Sequence, residues 1–426
     1  MGPCTVSRRE FLKRNAAVAG ALAAPLILPS GVLAAAGRPG ANDRVILGVI
    51  GTGGRARQLM DQLPEGGRIV AISDCYVKRM EETLQQKQKD WKQYPDYRKM
   101  FEAETLDAVI IATPDHGRPL PCIHACPAGL DVFAEKPLTV CIAEGRAIVN
   151  AARRHQRVFQ VGSQQRTMEM NRFACDLVRN GGLGKIQKVI GAQYPGPRKY
   201  EGLPEEPVPA GDNWDMWLGP TPLRPFNAQL QFAWMQWWDY SGGEMTNWGA
   251  HGVDQVQWAL GMSESGPVEI WPVTPGPNGQ VAMRYANDVT VYYESTDQSV
   301  APLGGARFIG EKAVITIDRN NFWTDPPDFV KDPPEPTVRQ KWEGPGWISR
   351  PHLQNWLDCI KTRGKPNADV EIGHRSISAC HLANIARAIG RKIRWDPEKE
   401  IFPDDAEANR YISRPRRAGY ELPKTS

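Results

Sequence analysis

The first part of the chain alternates between short apolar runs and longer amphipathic segments. The apolar runs predict strands at residues 44–50, 68–73, 108–112, 130–134 and 158–161. Helical patterns lie between them, most clearly at 77–91, 121–128 and 143–155. Runs that are apolar at every position are typical of parallel strands covered on both faces. This β-α-β order predicts a doubly wound parallel sheet.

From about residue 164 the pattern changes to positions that alternate between apolar and polar. Residues 289–293 and 313–317 show this alternation best, as expected of antiparallel strands. Long connections rich in Pro, Gly and Trp lie at 194–224 and 325–351. Two further helices are predicted at 351–362 and 374–389. The change of pattern divides the chain into residues 43–163, residues 164–396 and a polar surface tail at 397–426.

The first 36 residues are predicted to be an export signal and no part of the fold. Residues 7–13 (Ser-Arg-Arg-Glu-Phe-Leu-Lys) resemble the twin-arginine signal, and an Ala-rich apolar stretch and three alanines at 34–36 follow. A charged start before an Ala-rich helix is the plainer alternative. We expect a periplasmic protein that the twin-arginine machinery exports, without a lipid anchor and with no membrane span in the mature chain.

Composition and charge narrow the class of protein further. A chain of 426 residues is long enough for two domains, and its net charge of +4 falls to +1 once residues 1–36 are removed. A nearly neutral surface argues against nucleic acid as a partner. The cysteines show no CxxC pair and no zinc spacing, so we predict core residues and no metal site. Thirteen of the 14 tryptophans lie between residues 214 and 395, and a Trp-rich open sheet predicts a homo-oligomer.

A glycine motif after the first strand predicts a dinucleotide site. Gly51-x-Gly53-x-x-Ala56 lies between a strand and a helix, and Asp74 ends the next strand. Glycines allow the backbone to approach a pyrophosphate at a helix N-terminus, and the acidic residue accepts from the ribose hydroxyls. Asp74 favours NAD, whereas nearby arginines keep NADP as an alternative. A glycine turn without a nucleotide is the other interpretation. The candidate cofactor residues are Gly51, Gly53, Gly54, Arg55, Asp74, Thr113, Pro114, His116, Glu135 and Lys136.

The tripeptide Glu135-Lys136-Pro137 follows the strand predicted at 130–134. Its lysine would point from the carboxyl edge of the parallel sheet into the crevice where such sheets bind cofactors. Proline fixes φ and removes a backbone donor, which gives the lysine a defined direction. A solvated turn is the alternative interpretation. The position favours Lys136 as a catalytic residue.

A second candidate centre lies in the glycine-rich segment 242–254. Asn247, His251, Asp254 and position 258 are spaced by 4, 3 and 4 residues, so they share one face of a helix. His251 is a candidate general base, because the pKa of histidine lies near neutral pH. Asn247 is a further catalytic candidate, and Asp254 is a candidate for contact with the substrate.

Three further residues are candidates for contact with a substrate. Trp237 and Trp238 could form a stacking wall for a pyranose, although core packing explains them equally well. His374 opens a late helix and could reach the same cleft.

These stretches, together with residues 213–220 and 373–376, resemble the Gfo/Idh/MocA family of oxidoreductases in its exported bacterial branch. The resemblance implies a Rossmann domain followed by an α/β domain with an open, mainly antiparallel sheet. It also implies hydride transfer between NAD and a carbinol carbon of a sugar, sugar derivative or cyclitol. The family's site combines the lysine with an aspartate and a histidine four residues apart. Lys136 and His251 match, whereas Asn247 stands at the aspartate position.

Three functions follow from this pattern. The first is an oxidoreductase with tightly bound cofactor, because the periplasm supplies no recycled nicotinamide pool. The second is redox-neutral glycoside cleavage by oxidation, elimination and reduction. The third is a periplasmic sugar-binding protein that has lost turnover.

Overall fold

The computed structural model describes residues 43–343 and 348–423. From Val45 onward the chain folds as a single unit. The predicted export signal, residues 1–36, lies outside the described residues. No helix in the described part of the chain is both long enough and apolar enough to cross a membrane.

The first sheet has six parallel strands in the order β3-β2-β1-β4-β5-β6. Its strands are β1 Val45–Ile50, β2 Gly67–Ser73, β3 Lys92–Tyr94, β4 Ala108–Ile111, β5 Asp131–Ala134 and β6 Phe159–Val161. The central strands β4 and β5 are buried at every position, because helices cover both faces. This order is that of the Rossmann fold, which confirms the predicted doubly wound sheet.

Five helices alternate with these strands. They are α1 Gly54–Asp61, α2 Val77–Lys87, α3 Tyr97–Ala103, α4 Pro119–Ala125 and α5 Ile142–Arg154. The pattern predicts α2 as far as residue 91, but the helix stops at Lys87. Gln88 adopts the left-handed conformation with φ of 51°, which ends the helix.

The second sheet has eight strands in the order β13-β12-β11-β7-β10-β9-β8-β14. Its strands are β7 Ile186–Ala192, β8 Pro267–Pro272, β9 Val281–Tyr285, β10 Thr290–Ser295, β11 Ala306–Gly310, β12 Val314–Asp318, β13 Asn321–Asp325 and β14 Ile393–Arg394. Strands β7 and β10 pair in parallel, and the other neighbours are antiparallel. The mainly antiparallel sheet is therefore confirmed.

The remaining helices follow β6. They are α6 Glu169–Arg179, α7 Trp214–Leu218, α8 Ala228–Phe232, α9 Glu244–Asn247, α10 Gly249–Ala259, α11 Pro336–Gln340, α12 Arg350–Thr362, α13 Val370–Ile389 and α14 Ala406–Asn409. The α13 helix begins earlier than predicted, because the Asp369 carboxylate accepts from the Glu371 N–H at its start. Gly390, with φ of 78°, ends it.

Two late segments of the chain return to the first sheet and to the core. Helix α12 packs Leu353, Trp356 and Leu357 onto the first sheet, where the Phe133 and Trp356 rings lie 5.7 Å apart. In the tail, Phe402 is fully buried. The predicted surface tail therefore also contributes to the core.

Candidate active site

The glycine turn after β1 leaves room for a phosphate group. Gly51 has φ of 82°, and a Cβ there would lie 2.8 Å from the carbonyl of Ala112, so only glycine suits the position. A Cβ on Gly53 or Gly54 would meet no described atom within 4 Å. Helix α1 begins at Gly54 without a side-chain cap. Its first N–H groups can therefore donate to an anion such as pyrophosphate.

Asp74 is held rigidly at the end of β2. Its carboxylate accepts from the Thr52 N–H at 2.8 Å, from the Thr52 hydroxyl at 3.0 Å and from the Tyr76 N–H at 2.9 Å. Each oxygen keeps capacity for a further donor. The position suits the hydroxyls of a ribose bound beside the glycine turn.

All ten predicted cofactor residues line one cavity of about 440 Å³. The cavity follows the carboxyl edge of the first sheet from Asp74, past the glycine turn, to Glu135 and Lys136. The buried hydroxyl of Thr113 has no hydrogen-bond partner among the described residues, which leaves a polar group for a ligand. The residues present therefore fit a dinucleotide.

The opposite wall of the cavity comes from the Trp-rich connection, which the sequence did not assign to the cofactor. Met216, Trp217, Trp234 and Met235 line the same space. We call residues 213–238 the strap. The Asn213 N–H donates to the Cys75 carbonyl at 2.9 Å, which ties the strap to the sheet edge after β2.

His116 makes the second tie to the strap. Its Nε2 lies 2.7 Å from the carbonyl oxygen of Trp217. Burial lowers the pKa of His116 to about 4, so the ring is neutral and donates its Nε2–H to that carbonyl. His116 therefore holds the strap in addition to lining the cavity.

Lys136 and Asn247 meet at the end of this cavity. The Lys136 ammonium donates to the Asn247 Oδ1 at 2.8 Å and to the Asn247 backbone oxygen at 3.2 Å. The Asn247 amide nitrogen donates to the Glu244 carboxylate at 3.1 Å, which fixes the amide so that its oxygen faces the lysine. Burial lowers the pKa of Lys136, whereas the charges of Glu135 and Asp115 raise it.

His251 is buried one helical turn after Asn247. Burial lowers the pKa of His251 well below its usual value, and the charges of Lys136, Arg319 and Arg55 lower it further. The ring nitrogens form no hydrogen bond with any residue in the described ranges, and the Trp248 ring lies 5.8 Å away. His251 is therefore a neutral imidazole, free to accept a proton beside a cationic lysine.

Two domain descriptions match this chain over most of its length. Residues 45–163 match "Oxidoreductase family, NAD-binding Rossmann fold", and residues 196–422 match "Oxidoreductase family, C-terminal alpha/beta domain". The chain belongs to the Gfo/Idh/MocA oxidoreductase family. The cofactor of its first domain is NAD, as predicted.

Individual relatives share low sequence identity with this chain, and each matches only part of it. Inositol 2-dehydrogenase/D-chiro-inositol 3-dehydrogenase of Halalkalibacterium halodurans is 32% identical over 123 residues, which cover 28% of this chain and 35% of that protein. The alpha-N-acetylgalactosaminidase of Shewanella oneidensis is 26% identical over 203 residues, 42% of this chain and 44% of that protein. The chain thus matches about a third of the length of the first of these curated relatives.

A solved structure extends the similarity to most of the fold. The aldose-aldose oxidoreductase from Caulobacter crescentus, complexed with glycerol, superimposes with a TM-score of 0.59 and is 17% identical. The match covers 82% of this chain and 99% of that one, and it shows a shared fold.

Glu135 of the family's Glu-Lys-Pro motif holds the lysine segment in place. Its carboxylate accepts from the Arg55 Nε at 2.7 Å, from the Gln164 amide at 3.2 Å and from the Lys136 N–H at 3.1 Å. Only 3% of the Glu135 side chain is exposed, so this ion pair lies in a largely buried position. Glu135 therefore positions Lys136 and fixes Arg55 at the mouth of the glycine turn.

The structure does not bring Asp254 to Lys136. Trp248 separates α9 from α10, and beyond His251 the helix turns its next residues towards Arg166. The Asp254 carboxylate accepts from the Arg166 Nε at 2.8 Å and from the Ser376 hydroxyl at 2.5 Å, in a fully buried cluster. Asp254 serves the packing of α10 rather than the cleft.

The other three substrate candidates also lie elsewhere. The buried Trp237 ring packs against Tyr200 at 5.5 Å, and the Trp238 ring packs against Tyr411 at 6.2 Å. His374 is fully buried and bonds to the Glu400 carboxylate at 2.6 Å. None of the three lines the cofactor cavity.

Proposed function

We propose that this chain is an NAD-dependent oxidoreductase that transfers a hydride at a carbinol carbon of a sugar, sugar derivative or cyclitol. The observation that carries the proposal is the pairing of Lys136 with Asn247 at 2.8 Å, beside the neutral His251 and at the end of the cofactor cavity. The similarity to an inositol dehydrogenase supports a polyhydroxylated substrate.

His251 and Lys136 divide the proton chemistry between them. NAD, when bound, supplies the hydride acceptor. His251 takes the hydroxyl proton, because its lowered pKa keeps the imidazole unprotonated. Lys136 donates a hydrogen bond to the oxygen on which negative charge develops. Asn247 orients the lysine and cannot take a proton, so the acid–base work falls on the other two residues.

The strap supports a cofactor that stays bound through the catalytic cycle. It closes the cavity opposite the sheet edge and is tied down by Asn213 and His116. An exported enzyme with retained NAD must return the hydride to a second carbonyl compound. We therefore propose a ping-pong cycle in the periplasm. The name of the aldose-aldose oxidoreductase, which shares the fold, describes a reaction between two sugars of this kind.

Redox-neutral glycoside cleavage is the second candidate function. The observation that favours it is the similarity to an alpha-N-acetylgalactosaminidase over 203 residues. In this reaction the oxidised sugar loses the adjacent C–H proton and the aglycone, water adds to the resulting double bond, and the hydride then returns to the same sugar. The same two residues, Lys136 and His251, would serve both steps.

One experiment separates the two functions. The purified full-length chain, without added NAD, is mixed first with free sugars and then with aryl glycosides. Formation of bound NADH with a free sugar supports the ping-pong oxidoreductase. Release of the aryl group without net NADH supports cleavage. Absence of both reactions in protein that holds NAD would contradict both proposals.

A further inference from the structure

We propose that the substrate carries a carboxylate group and that Arg319 binds it. This inference rests on the proposed function, because it assigns the substrate class of the same site. Its structural basis is the half-buried guanidinium of Arg319 beside His251, whose buried Nε has no hydrogen-bond partner and which has no carboxylate within ion-pair distance in the described ranges.

Arg319 lies at one edge of the second sheet. It lies in the turn between β12 and β13, and its neighbour Asn320 anchors that turn by donating its N–H to the Asn171 side chain at 2.5 Å. The Arg319 guanidinium lies 5.5 Å from the Trp248 ring, on the helical segment that carries His251. A Cβ on Gly304 would lie 2.7 Å from the Arg319 Cγ, so the side chain needs a glycine beside it.

The charge of Arg319 is not compensated. Its Nε is buried without a hydrogen-bond partner, and no carboxylate in the described ranges lies within ion-pair distance of it. Burial lowers the pKa of Arg319 and the Arg55 charge lowers it further, whereas Asp318 and Glu135 raise it. An arginine nevertheless stays protonated. A half-buried cation with a buried, unpaired N–H is stabilised when an anion pairs with it, so the site suits an anionic ligand.

The electrostatics favour a carboxylate over a phosphate. Arg55, the other arginine near His251, is already paired with Glu135 at 2.7 Å, and Lys136 is held by the Asn247 amide at 2.8 Å, so Arg319 is the one guanidinium near His251 that remains for a ligand. A phosphate ester carries about two negative charges at neutral pH. The nearby carboxylates of Glu135 and Asp318 would repel such a dianion. A single carboxylate matches one guanidinium in charge and in planar geometry.

Binding and turnover of matched sugars test the proposal. Calorimetry on the NAD-loaded full-length chain compares hexuronates of gluco, galacto and manno configuration with the corresponding hexoses and hexose 6-phosphates. We expect at least one uronate to bind about tenfold or more tightly than its hexose and its phosphate. Arg319→Gln should weaken uronate binding by about 30-fold or more and leave hexose binding nearly unchanged. Arg319→Lys should restore part of the loss.

Arg391→Gln is the matched control, because Arg391 is an exposed arginine paired with Asp405 and Glu407. It should bind uronate like the wild type. Absence of uronate binding, a preference for the hexose or the phosphate, or an equal loss for all ligands in Arg319→Gln would overturn the proposal. Uronate binding that depends on Arg319 but gives no bound NADH would retain the carboxylate site and overturn the oxidoreductase function. Formation of NADH with hexoses but not with uronates would retain the oxidoreductase function and overturn the carboxylate site.

Discussion

A lysine that must be protonated and a histidine that must be neutral lie close together at the end of the cofactor cavity. Lys136 lines the cavity, and the buried His251 lies one helical turn after Asn247, which also lines it. The site keeps His251 neutral, because burial and the surrounding cations all lower its pKa. It keeps Lys136 within hydrogen-bond distance of a fixed amide oxygen, and burial lowers the pKa of that residue too. Both pKa values are thus lowered. The enzyme should be active at pH values between them, where His251 is neutral and Lys136 is protonated.

The pH dependence of turnover follows from these two directions. His251 must be neutral to accept a proton, so activity should fall only at pH well below 6.5, the usual pKa of histidine. Lys136 must be protonated to donate, so activity should fall on the alkaline side at a pH below 10.5, the usual pKa of lysine. A profile of the rate of bound NAD reduction against pH measures both limbs. In His251→Asn the acidic limb should disappear, and its persistence would assign that limb to another group.

Asn247→Asp tests the departure from the family's aspartate. A carboxylate in contact with the Lys136 ammonium favours the charged lysine, so the pKa of Lys136 should rise. The alkaline limb of the same profile should therefore move to higher pH. The nearby Glu244 carboxylate, 3.1 Å from the present amide nitrogen, would repel the new charge and reduce stability. Asn247→Ser is the neutral control, and an equal movement of the limb in both variants would contradict this interpretation.

At the level of secondary-structure elements, the sequence predicts features that are formed by contiguous residues. The strand, glycine turn and helix at residues 45–61 are contiguous, and so is the strand that leads to Lys136. Their chemistry could therefore be read from spacing alone. The edge strand β3, Lys92–Tyr94, was missed because it is short and polar and has no buried position.

Contacts between distant segments could not be predicted in this way. Nothing in the local pattern says that α12 packs onto the first sheet, or that Trp217 and Trp234 cover the cofactor cavity. No pattern in the sequence singles out Arg319. Its proposed role depends on the absence of a nearby carboxylate in the described ranges, which only the folded structure reveals. Asp254 has the helical spacing that predicts a shared face with Asn247 and His251. In the structure, however, its side chain pairs with Arg166.

The Arg166–Asp254 pair joins α10 to the segment before α6 and, through Ser376, to α13. Both side chains are under 5% exposed, at 4% and 3%. Asp254→Ala leaves an uncompensated buried cation, so the free energy of unfolding should fall by about 3–5 kcal/mol. Denaturant unfolding measures this change, with the exposed Asp176→Ala as control. An altered pH profile in Asp254→Ala with unchanged stability would instead place Asp254 in the site.

Removal of one aromatic ring tests the strap. Trp234 lines the cofactor cavity, so Trp234→Ala should weaken NAD retention by roughly tenfold or more through lost contact area. Trp323→Ala, which removes an exposed tryptophan from β13, is the control. The measurement is the NAD content after repeated gel filtration. Equal retention in both variants would show that the strap does not hold the cofactor.

For the molecule as a whole, the cofactor domain and the second sheet meet at one cleft. The cofactor domain supplies Lys136 and the glycine turn, helix α10 supplies His251, and the turn between β12 and β13 supplies Arg319. Export by the twin-arginine pathway, periplasmic location and homo-oligomerisation stay predictions. Native mass spectrometry of the purified protein reports bound NAD and subunit number together.

The most direct measurement is the reduction of bound NAD by a sugar in single-turnover mixing, without added cofactor. We predict that a panel of sugars and sugar acids contains at least one compound that converts the bound NAD to NADH in the wild type. Lys136→Ala should retain NAD but reduce it about 100-fold or more slowly, whereas the exposed Lys365→Ala should match the wild type. Equal rates in the wild type and Lys136→Ala would contradict the role of Lys136 in hydride transfer.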